Sequence, residues 1–154
     1  MLTLVGLNLR SLKDRDVGIG SNVLHLDLSG NCLSDGAELA MFPNLRTLVI
    51  DSNQFEDIGT LPVFKYLETF SANKNELGNL DQFLDDAYDR FGDLKNLSLL
   101  KNPLNPYFES EQKYAVYRDR ILERFPRLKS LDGCAVELIK KDLAEQRKAE
   151  DQKY

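Results

Sequence analysis

A motif of apolar residues and one asparagine recurs four times in this chain of 154 residues, always with the same internal spacing. Apolar residues stand eight, five and three positions before each asparagine and two positions after it. The asparagines are Asn31, Asn53, Asn75 and Asn102. Successive copies lie 22, 22 and 27 residues apart. Four copies in one register indicate a stack of similar units, because no single copy could bury its own apolar residues.

The four copies carry almost the same apolar residues. The sets are Val23, Leu26, Leu28, Leu33; Leu45, Leu48, Ile50, Phe55; Leu67, Phe70, Ala72, Leu77; and Leu94, Leu97, Leu99, Leu104. A fifth, upstream copy consists of Leu2, Val5, Leu7 and Leu12. In that copy Arg10 stands where the asparagine belongs. With no turn before it, this position is expected to face water, where a long charged side chain is tolerated.

The pattern L-x-x-L-x-L-x-x-N-x-L is that of leucine-rich repeats, and the chain resembles their 22-residue class. The expected fold is an α/β solenoid with a parallel sheet on its concave side and a helical or irregular convex side. About five repeats are expected, near residues 2–22, 23–44, 45–66, 67–93 and 94–106. Each asparagine follows a strand where the chain bends, so its amide is expected to satisfy buried backbone groups. We therefore interpret the four asparagines as architectural.

The fourth copy is longer than the others, and its extra residues predict an amphipathic helix on the convex side. Helical spacing brings Phe83, Leu84, Ala87, Tyr88 and Phe91 to one apolar face. The opposite face carries Asp81, Asp85, Asp86 and Asp89. We interpret this acidic face as solvated.

Residues 107–144 are expected to close the stack as a helical cap. A solenoid without a cap would leave its last apolar layer and its last sheet edge in water. Residues 111–125 have the apolar spacing of a helix, and Pro126 ends it. Leu128 and Leu131 then supply the inner residues of one last strand-like turn.

A short helix should follow that turn and fold back over the end of the stack. Its apolar residues are Val136, Ile139 and Leu143. The prediction is thus a single domain over residues 1–144. Residues 145–154 have almost no apolar content and are expected to fray.

Two stretches carry narrower resemblances. "NPLNP" and "YAVYRDRILERFPRLKSLDG" resemble the cap of a family that includes the spliceosomal A-prime protein, an outer-arm dynein light chain and a phosphatase regulator. The cap residues concerned are Tyr117, Arg118, Phe125, Pro126, Leu128, Leu131 and Asp132. Over roughly residues 45–140 the chain is also similar to the family of the leucine-rich melanocyte differentiation-associated protein, through "LETFSANKNELGNLDQFLDD" and "LSLLKNP".

The sequence gives little support for catalysis. It has no nucleotide-binding loop, no metal-spaced cluster and no Ser/His/Asp set, so we predict no enzyme activity, no cofactor and no metal. The one histidine, His25, is expected on the concave surface. The two cysteines, Cys32 and Cys134, are far apart, as is usual for reduced thiols. With no secretory signal and no long apolar run, the expected location is the cytoplasm, with the nucleus as the alternative.

Charge also limits the partners. Residues 1–92 hold 7 basic and 14 acidic side chains, and the whole chain has a formal net charge of −5. An acidic repeat body repels phosphate backbones, so direct nucleic-acid binding is disfavoured and a basic or mixed protein surface is a better match.

The outward strand positions predict a protein-binding concave face. They are His25, Asp27, Thr47, Val49, Asp51, Thr69, Ser71, Asn73, Asn96, Ser98 and Leu100, with Leu4, Gly6 and Asn8 preceding them in the first copy. The middle positions are small, which leaves a shallow trough for a partner helix or loop. Val49 and Leu100 add apolar contact inside a polar frame. The chain is expected to be monomeric by itself.

Two functions remain open at this point. The first is an adaptor that binds a protein; the resemblance to the melanocyte protein family implies a Rab-type small GTPase in vesicle traffic as a candidate partner. The second is a fixed subunit of a larger assembly, either a ribonucleoprotein or an axonemal dynein, as the cap resemblance implies.

Overall fold

The strands lie side by side in chain order. The computed structural model describes residues 1–13 and 18–152, and within these residues six short strands form a parallel sheet. They are β1 (Leu2–Thr3), β2 (His25–Asp27), β3 (Thr47–Val49), β4 (Thr69–Ser71), β5 (Asn96–Ser98) and β6 (Ser130–Leu131). A seventh strand, β7 (Cys134–Ala135), pairs antiparallel with β6. The predicted α/β solenoid with its parallel sheet is confirmed.

The convex side becomes more helical toward the end of the chain. Single turns of 3₁₀ helix, Gly20–Asn22 and Ala37–Met41, follow the first two strands. The longer fourth unit carries the predicted helix, α1 (Leu80–Arg90). The cap contains α2 (Glu111–Arg124) and α3 (Val136–Asp151). No helix within residues 1–13 and 18–152 is both long enough and apolar enough to cross a membrane.

One inward residue from each strand builds the centre of the core. The strand register aligns Leu26, Leu48, Phe70, Leu97 and Leu131 in a continuous column, and all five are buried. Burying one such side chain contributes about 1.5–3 kcal/mol, so the repeated column accounts for the stacking of the units.

The first repeat is aligned differently from the prediction. Leu2 pairs with Leu26, so it stands five positions before the asparagine site and not eight. The hydrogen bond from the amide of Leu4 to the carbonyl of Asp27, at 2.9 Å, fixes this register. The first strand is therefore shifted by three residues relative to the predicted copy.

The shift reassigns the residues of this unit. Val5 and Leu7, which were expected to face inward, are exposed. The residues that pack inward are Leu2, Leu4, Leu9 and Leu12. The predicted outward set of Leu4, Gly6 and Asn8 is wrong as well, because Thr3 stands opposite Asp27 in the sheet. The leucines at positions 2, 4, 7, 9 and 12 are compatible with the predicted alignment and with the observed one, which is shifted by three residues. The pairing of Leu2 with Leu26 decides between the two.

The acidic face of α1 is largely exposed, as predicted, and two of its carboxylates also contact arginines of the cap. Asp81 forms an ion pair with Arg120 of α2, and Asp85 lies 2.7 Å from a guanidinium nitrogen of Arg124. Tyr88, expected on the apolar face, is 62% exposed and lies against the guanidinium of Arg124. The helix thus contacts the cap through exposed charged groups as well as through its apolar side.

The last helix is longer than predicted. It continues to Asp151, where the sequence favours a frayed tail from residue 145. Arg147, near its end, lies 3.0 Å from Asp119 of α2. Helical hydrogen bonding continues past the last buried residue, Leu143, and does not need further apolar contacts. Residues 153 and 154 of the predicted tail lie outside the described residues, and the single-domain boundary at 144 stays a prediction.

Candidate protein-binding site

Buried asparagines join each repeat to the one before it. The Asn53 side-chain oxygen accepts a hydrogen bond from the amide of Leu33, at 3.0 Å. Its nitrogen donates to the carbonyls of Leu28 and Ile50, both at 3.0 Å. Asn31, Asn75 and Asn102 bond in the same way across their own repeat boundaries. These bonds fix the spacing of the strands that carry the concave face.

Asp132 closes the hydrogen-bond ladder of the sheet. In the inner repeats a strand amide donates to the carbonyl of the next strand, as Ala72 does to Ser98 at 2.9 Å. At the last boundary the amide of Leu99 donates instead to the carboxylate of Asp132, at 2.8 Å. The backbone turns there, with positive φ values of 52° at Asp132 and 81° at Gly133. The carboxylate thus substitutes for a carbonyl where the parallel sheet ends.

The second carboxylate oxygen of Asp132 accepts hydrogen bonds from residues of the cap and of the segment before it. The Tyr114 hydroxyl donates to it at 2.9 Å, and the side chain of Asn105 donates at 3.0 Å. Burial, together with the negative charge of Asp132, raises the pKa of Tyr114 above its ordinary range. Burial likewise raises the pKa of Tyr117. Both phenols therefore keep their protons at physiological pH; Tyr114 donates to Asp132, and Tyr117 accepts from the side chain of Asn105 at 3.2 Å.

The other predicted cap residues surround this cluster. Tyr117, Arg118, Phe125, Leu128 and Leu131 are buried, whereas Pro126 is exposed just after α2. The guanidinium of Arg118 lies 4.8 Å from the centre of the Tyr114 ring. The cap residues thus come together around the end of the sheet.

The concave face has two rows of polar side chains that bond to one another. In the first row, Nδ1 of His25 lies 2.8 Å from the Thr47 hydroxyl. Further along it, the amide of Asn96 donates to the Thr69 hydroxyl at 3.0 Å, and Ser130 donates to Asn96 at 2.7 Å. The row lies along the starts of the strands and consists of two bonded groups, one on β2 and β3 and one from β4 to β6.

The second row runs along the ends of the strands. Asp51 accepts hydrogen bonds from the Ser71 hydroxyl, at 2.7 Å, and from the backbone N–H of Asn73, at 2.8 Å. The Asn73 oxygen then accepts from the Ser98 hydroxyl, at 2.8 Å, and from the amide of Leu100, at 2.7 Å. Most polar groups of this row are satisfied before any partner arrives.

Apolar surface lies between and beside these rows. Val49 is half-buried in the central column, between Asp27 and Ser71 of the neighbouring strands. Leu100 is half-buried at the end of the second row. Asp27 accepts from the amide and the hydroxyl of Ser29, at 2.9 and 2.6 Å, which holds its carboxylate at the rim.

All of the predicted concave residues from His25 to Leu100 lie on this face or at its rim. Ser130 belongs to the first row and was not predicted, although it precedes the inner residue Leu131 just as His25 precedes Leu26. Among the residues that the structure describes, no three His, Cys, Asp or Glu side chains are grouped so as to hold a metal ion. The arrangement is a rigid, weakly acidic surface with a small apolar centre.

Comparison with known sequences gives a consistent picture. The family model "Leucine Rich repeats (2 copies)" matches residues 21–63. The leucine-rich melanocyte differentiation-associated protein of Homo sapiens is 35% identical over 120 residues, which cover 73% of this chain and 61% of that protein. The oligodendrocyte-myelin glycoprotein of Homo sapiens is 37% identical over 97 residues, covering 62% of this chain and 21% of that protein. The chain thus spans about three fifths of the first relative and one fifth of the second.

A solved structure has the same fold. The crystal structure of the Drosophila melanogaster SNF/U2A′ complex contains a chain that matches this one with a TM-score of 0.64 at 21% identity. The match covers 93% of this chain and 78% of that chain, so it includes the cap as well as the repeats.

Proposed function

Because the chain is a leucine-rich-repeat protein, we propose that it is a non-catalytic adaptor whose concave sheet face binds a protein partner. Repeat solenoids generally use their concave surfaces in this way. The observation that carries the proposal is the setting of Val49, a half-buried apolar side chain at the centre of the face. The polar groups around it already bond to one another, so covering them leaves few donors or acceptors unsatisfied.

The charge of the face favours a basic or mixed partner surface. Asp27 and Asp51 are the two charged residues among the predicted binding positions, and both lie at the rim of the apolar centre. Lysine or arginine side chains of a partner would meet these carboxylates as Val49 is covered. Such complementarity mainly sets the association rate and the choice of partner.

A small GTPase of vesicle traffic is the first candidate partner, in the cytoplasm. It is suggested by the similarity to the leucine-rich melanocyte differentiation-associated protein. A small GTPase changes its switch loops with the bound nucleotide, so an adaptor that reads those loops would distinguish the two forms.

The second candidate is a fixed subunit of a larger assembly. The chain in the SNF/U2A′ complex shares the fold and the cap, and that chain was determined together with a protein partner. The assembly would be a ribonucleoprotein or an axonemal dynein, and this chain would contact protein and not nucleic acid in it. The net charge of −5 supports the latter point.

The proposed face is tested by the substitution Val49→Arg. In the free protein the long cation reaches water, so the melting temperature should stay close to that of the wild type. In the complex it would occupy the trough and bury a charge, which should weaken binding by several kcal/mol, or more than a hundredfold. Affinity purification from native cells followed by mass spectrometry would identify the partner and measure its loss.

The matched control is Glu56→Arg, an exposed position outside the sheet. It introduces the same side chain and should leave the captured proteins unchanged. If a GTPase is captured, binding to its GTP-loaded and GDP-loaded forms should differ. Normal capture by Val49→Arg, combined with loss of capture on changing Asp89 of α1, would place the binding site on the convex side instead.

A further inference from the structure

A second surface lies where the convex helices meet the starts of the strands, beside the first row of the concave face. We call it the basic edge and define it by five cations: Arg46, Lys65, Lys95, Arg124 and Arg127. It does not include any residue predicted to bind through the concave face.

Two adjoining grooves run along the basic edge. The larger, of about 850 Å³, lies between the end of α1 and the end of α2, with Tyr88 and Arg127 among its walls. The smaller, of about 170 Å³, continues past Tyr66. Lys65 and Asp93 line both grooves, so the two are direct neighbours.

The basic edge is positive on a chain that is negative overall. Its grooves are lined by the five cations and by three carboxylates, and Arg124 also pairs with Asp85, so the edge has an excess of one positive charge on a chain of net charge −5. Glu68 is shared between Arg46, at 3.3 Å, and Lys95, at 3.6 Å, which leaves one positive charge in excess. The ammonium group of Lys65 lies 5.6 Å from the centre of the Tyr66 ring. Within the described part of the chain it forms no ion pair with a carboxylate.

The ion pairs along this edge are easily exchanged. Arg127 and Asp93 are 3.0 Å apart, and their side chains are 79% and 72% exposed. Exposed pairs of this kind contribute only about 0–1 kcal/mol to stability. A carboxylate from another molecule can therefore replace the internal one at little cost in free energy.

Aromatic surface accompanies the cations. The Tyr88 ring is 62% exposed at the wall of the larger groove, and Tyr66 is 48% exposed in the smaller one. Tyrosine and arginine together are the residue types that most often dominate protein interfaces. The groove thus offers both charge and apolar contact to an occupant.

We propose that the basic edge binds an acidic peptide segment of another protein, with an apolar side chain of that segment resting against Tyr88. Its carboxylates would meet Lys65, Lys95 and Arg127. The carboxylates Glu68, Asp93 and Glu123 interrupt the row of cations. They would repel a continuous phosphate backbone, whereas a peptide can place its separate charges between them.

The first test measures binding of a fluorescent glutamate-rich peptide with a central Phe-Leu pair, by fluorescence anisotropy at low salt. The double variant Lys65→Glu/Arg127→Glu should bind it at least about tenfold more weakly than the wild type. The matched control is Lys74→Glu/Lys101→Glu, which makes the same change in net charge at two exposed positions at the other ends of the strands. The control should change the affinity by less than about threefold.

Two further experiments test where the peptide binds and whether its apolar side chains contribute. In two-dimensional NMR spectra, the peptide should shift the amide signals of Lys65, Gly92 and Lys95. Tyr88→Ala should weaken binding of the peptide that contains Phe-Leu but not of an all-glutamate peptide of equal length. Equal losses in the two charge-reversal variants, shifts confined to the concave strands, or no binding of the peptide would overturn the proposal. Tighter binding of a single-stranded oligonucleotide or of anionic lipid vesicles at the same edge would also overturn it.

Discussion

Asn53 shows at the scale of one residue how the repeats are held in register. Its amide bonds to a backbone N–H and a carbonyl of the preceding repeat and to a carbonyl of its own. All of these groups are remote from water, so the side chain replaces the solvent that they lost on folding. A leucine of similar size would fill the space but leave the backbone groups without partners.

We therefore expect Asn53→Leu to destabilise the protein strongly. Each orphaned group costs about 1–3 kcal/mol, so the free energy of unfolding should fall by at least that amount. The control is the neighbouring Gln54→Leu, which makes the same chemical change at an exposed position. Urea denaturation measures both variants, and equal midpoints would contradict the structural role of the asparagine. Asn8 is unsuited as a control because its φ of 54° is unfavourable for leucine.

A pH dependence follows from the two buried phenols of the cap. The pKa values of Tyr114 and Tyr117 in the folded protein lie above their ordinary value of 10.0, first because the phenols are buried and then because Asp132 is near. Above about pH 10 the unfolded chain releases these protons while the folded protein retains them. The contribution of these two phenols to the free energy of unfolding should therefore be constant below about pH 10. It should fall as the pH rises above that value.

Urea denaturation between about pH 8 and pH 11 tests this dependence. The double variant Tyr114→Phe/Tyr117→Phe should be less stable at pH 8, because the hydrogen bond from Tyr114 to Asp132 is lost. Its stability should nevertheless decline less steeply with pH than that of the wild type. Parallel curves for the two proteins would show that the phenols do not titrate on unfolding.

At the scale of elements, α1 and α2 are joined by charge more than their sequences indicate. The pair Asp85–Arg124 connects residues that are 39 positions apart. Exposed ion pairs have no sequence periodicity, so nothing in the spacing of α1 indicated that its acidic face would meet arginines. The packed side of α1 could be predicted for Phe83, because burial has to recur at the helical period.

The cap is expected to be necessary for folding of the repeats. Deleting residues 107–154 removes the carboxylate that accepts from the amide of Leu99 and uncovers the last apolar layer. The truncated chain should aggregate or lose its cooperative unfolding transition. Circular dichroism during heating and size-exclusion chromatography would measure both effects.

A shorter deletion serves as the control. Removing residues 145–154 leaves the buried residues of α3 in place and takes away mostly exposed side chains, including the ion pair of Arg147 with Asp119. The melting temperature should change little. A soluble and sharply melting chain that ends at residue 106 would show that the repeats do not need the cap.

At the scale of the whole molecule, the structural features that recur in every repeat could be predicted from the sequence, whereas features that occur once were missed. The buried column Leu26, Leu48, Phe70 and Leu97 could be predicted because the same apolar pattern recurs four times with the same internal spacing. The first repeat was misplaced by three residues because its leucines fit two frames and its strand has a partner on one side only. The reversal into β7 is a two-residue turn with positive φ at Asp132 and Gly133, and this Asp-Gly pair is the sequence signal from which the hairpin could have been predicted.

The candidate site also has a part that could be predicted from the sequence and a part that could not. Alternation along the strands placed residues such as Val49 and Asp51 on the concave face, because a strand directs successive side chains to opposite sides. The repeat register predicts which side chains of neighbouring strands stand opposite one another, but it does not predict their rotamers, on which the hydrogen-bonded rows depend. Binding through this face stays a prediction.

The lengthening of the convex elements determines how strongly the sheet bends. Neighbouring strands are about 4.8 Å apart throughout, whereas packed helices need about 8–10 Å between their axes. Among the residues that the structure describes, the first units place 3₁₀ turns behind the sheet, while the last ones place α1 and α2 there. We therefore expect the radius of curvature to decrease from β2 toward β6. A rigid partner shaped for the half around His25 would then fit the half around Ser98 less well, so shape alone would favour one orientation along the solenoid.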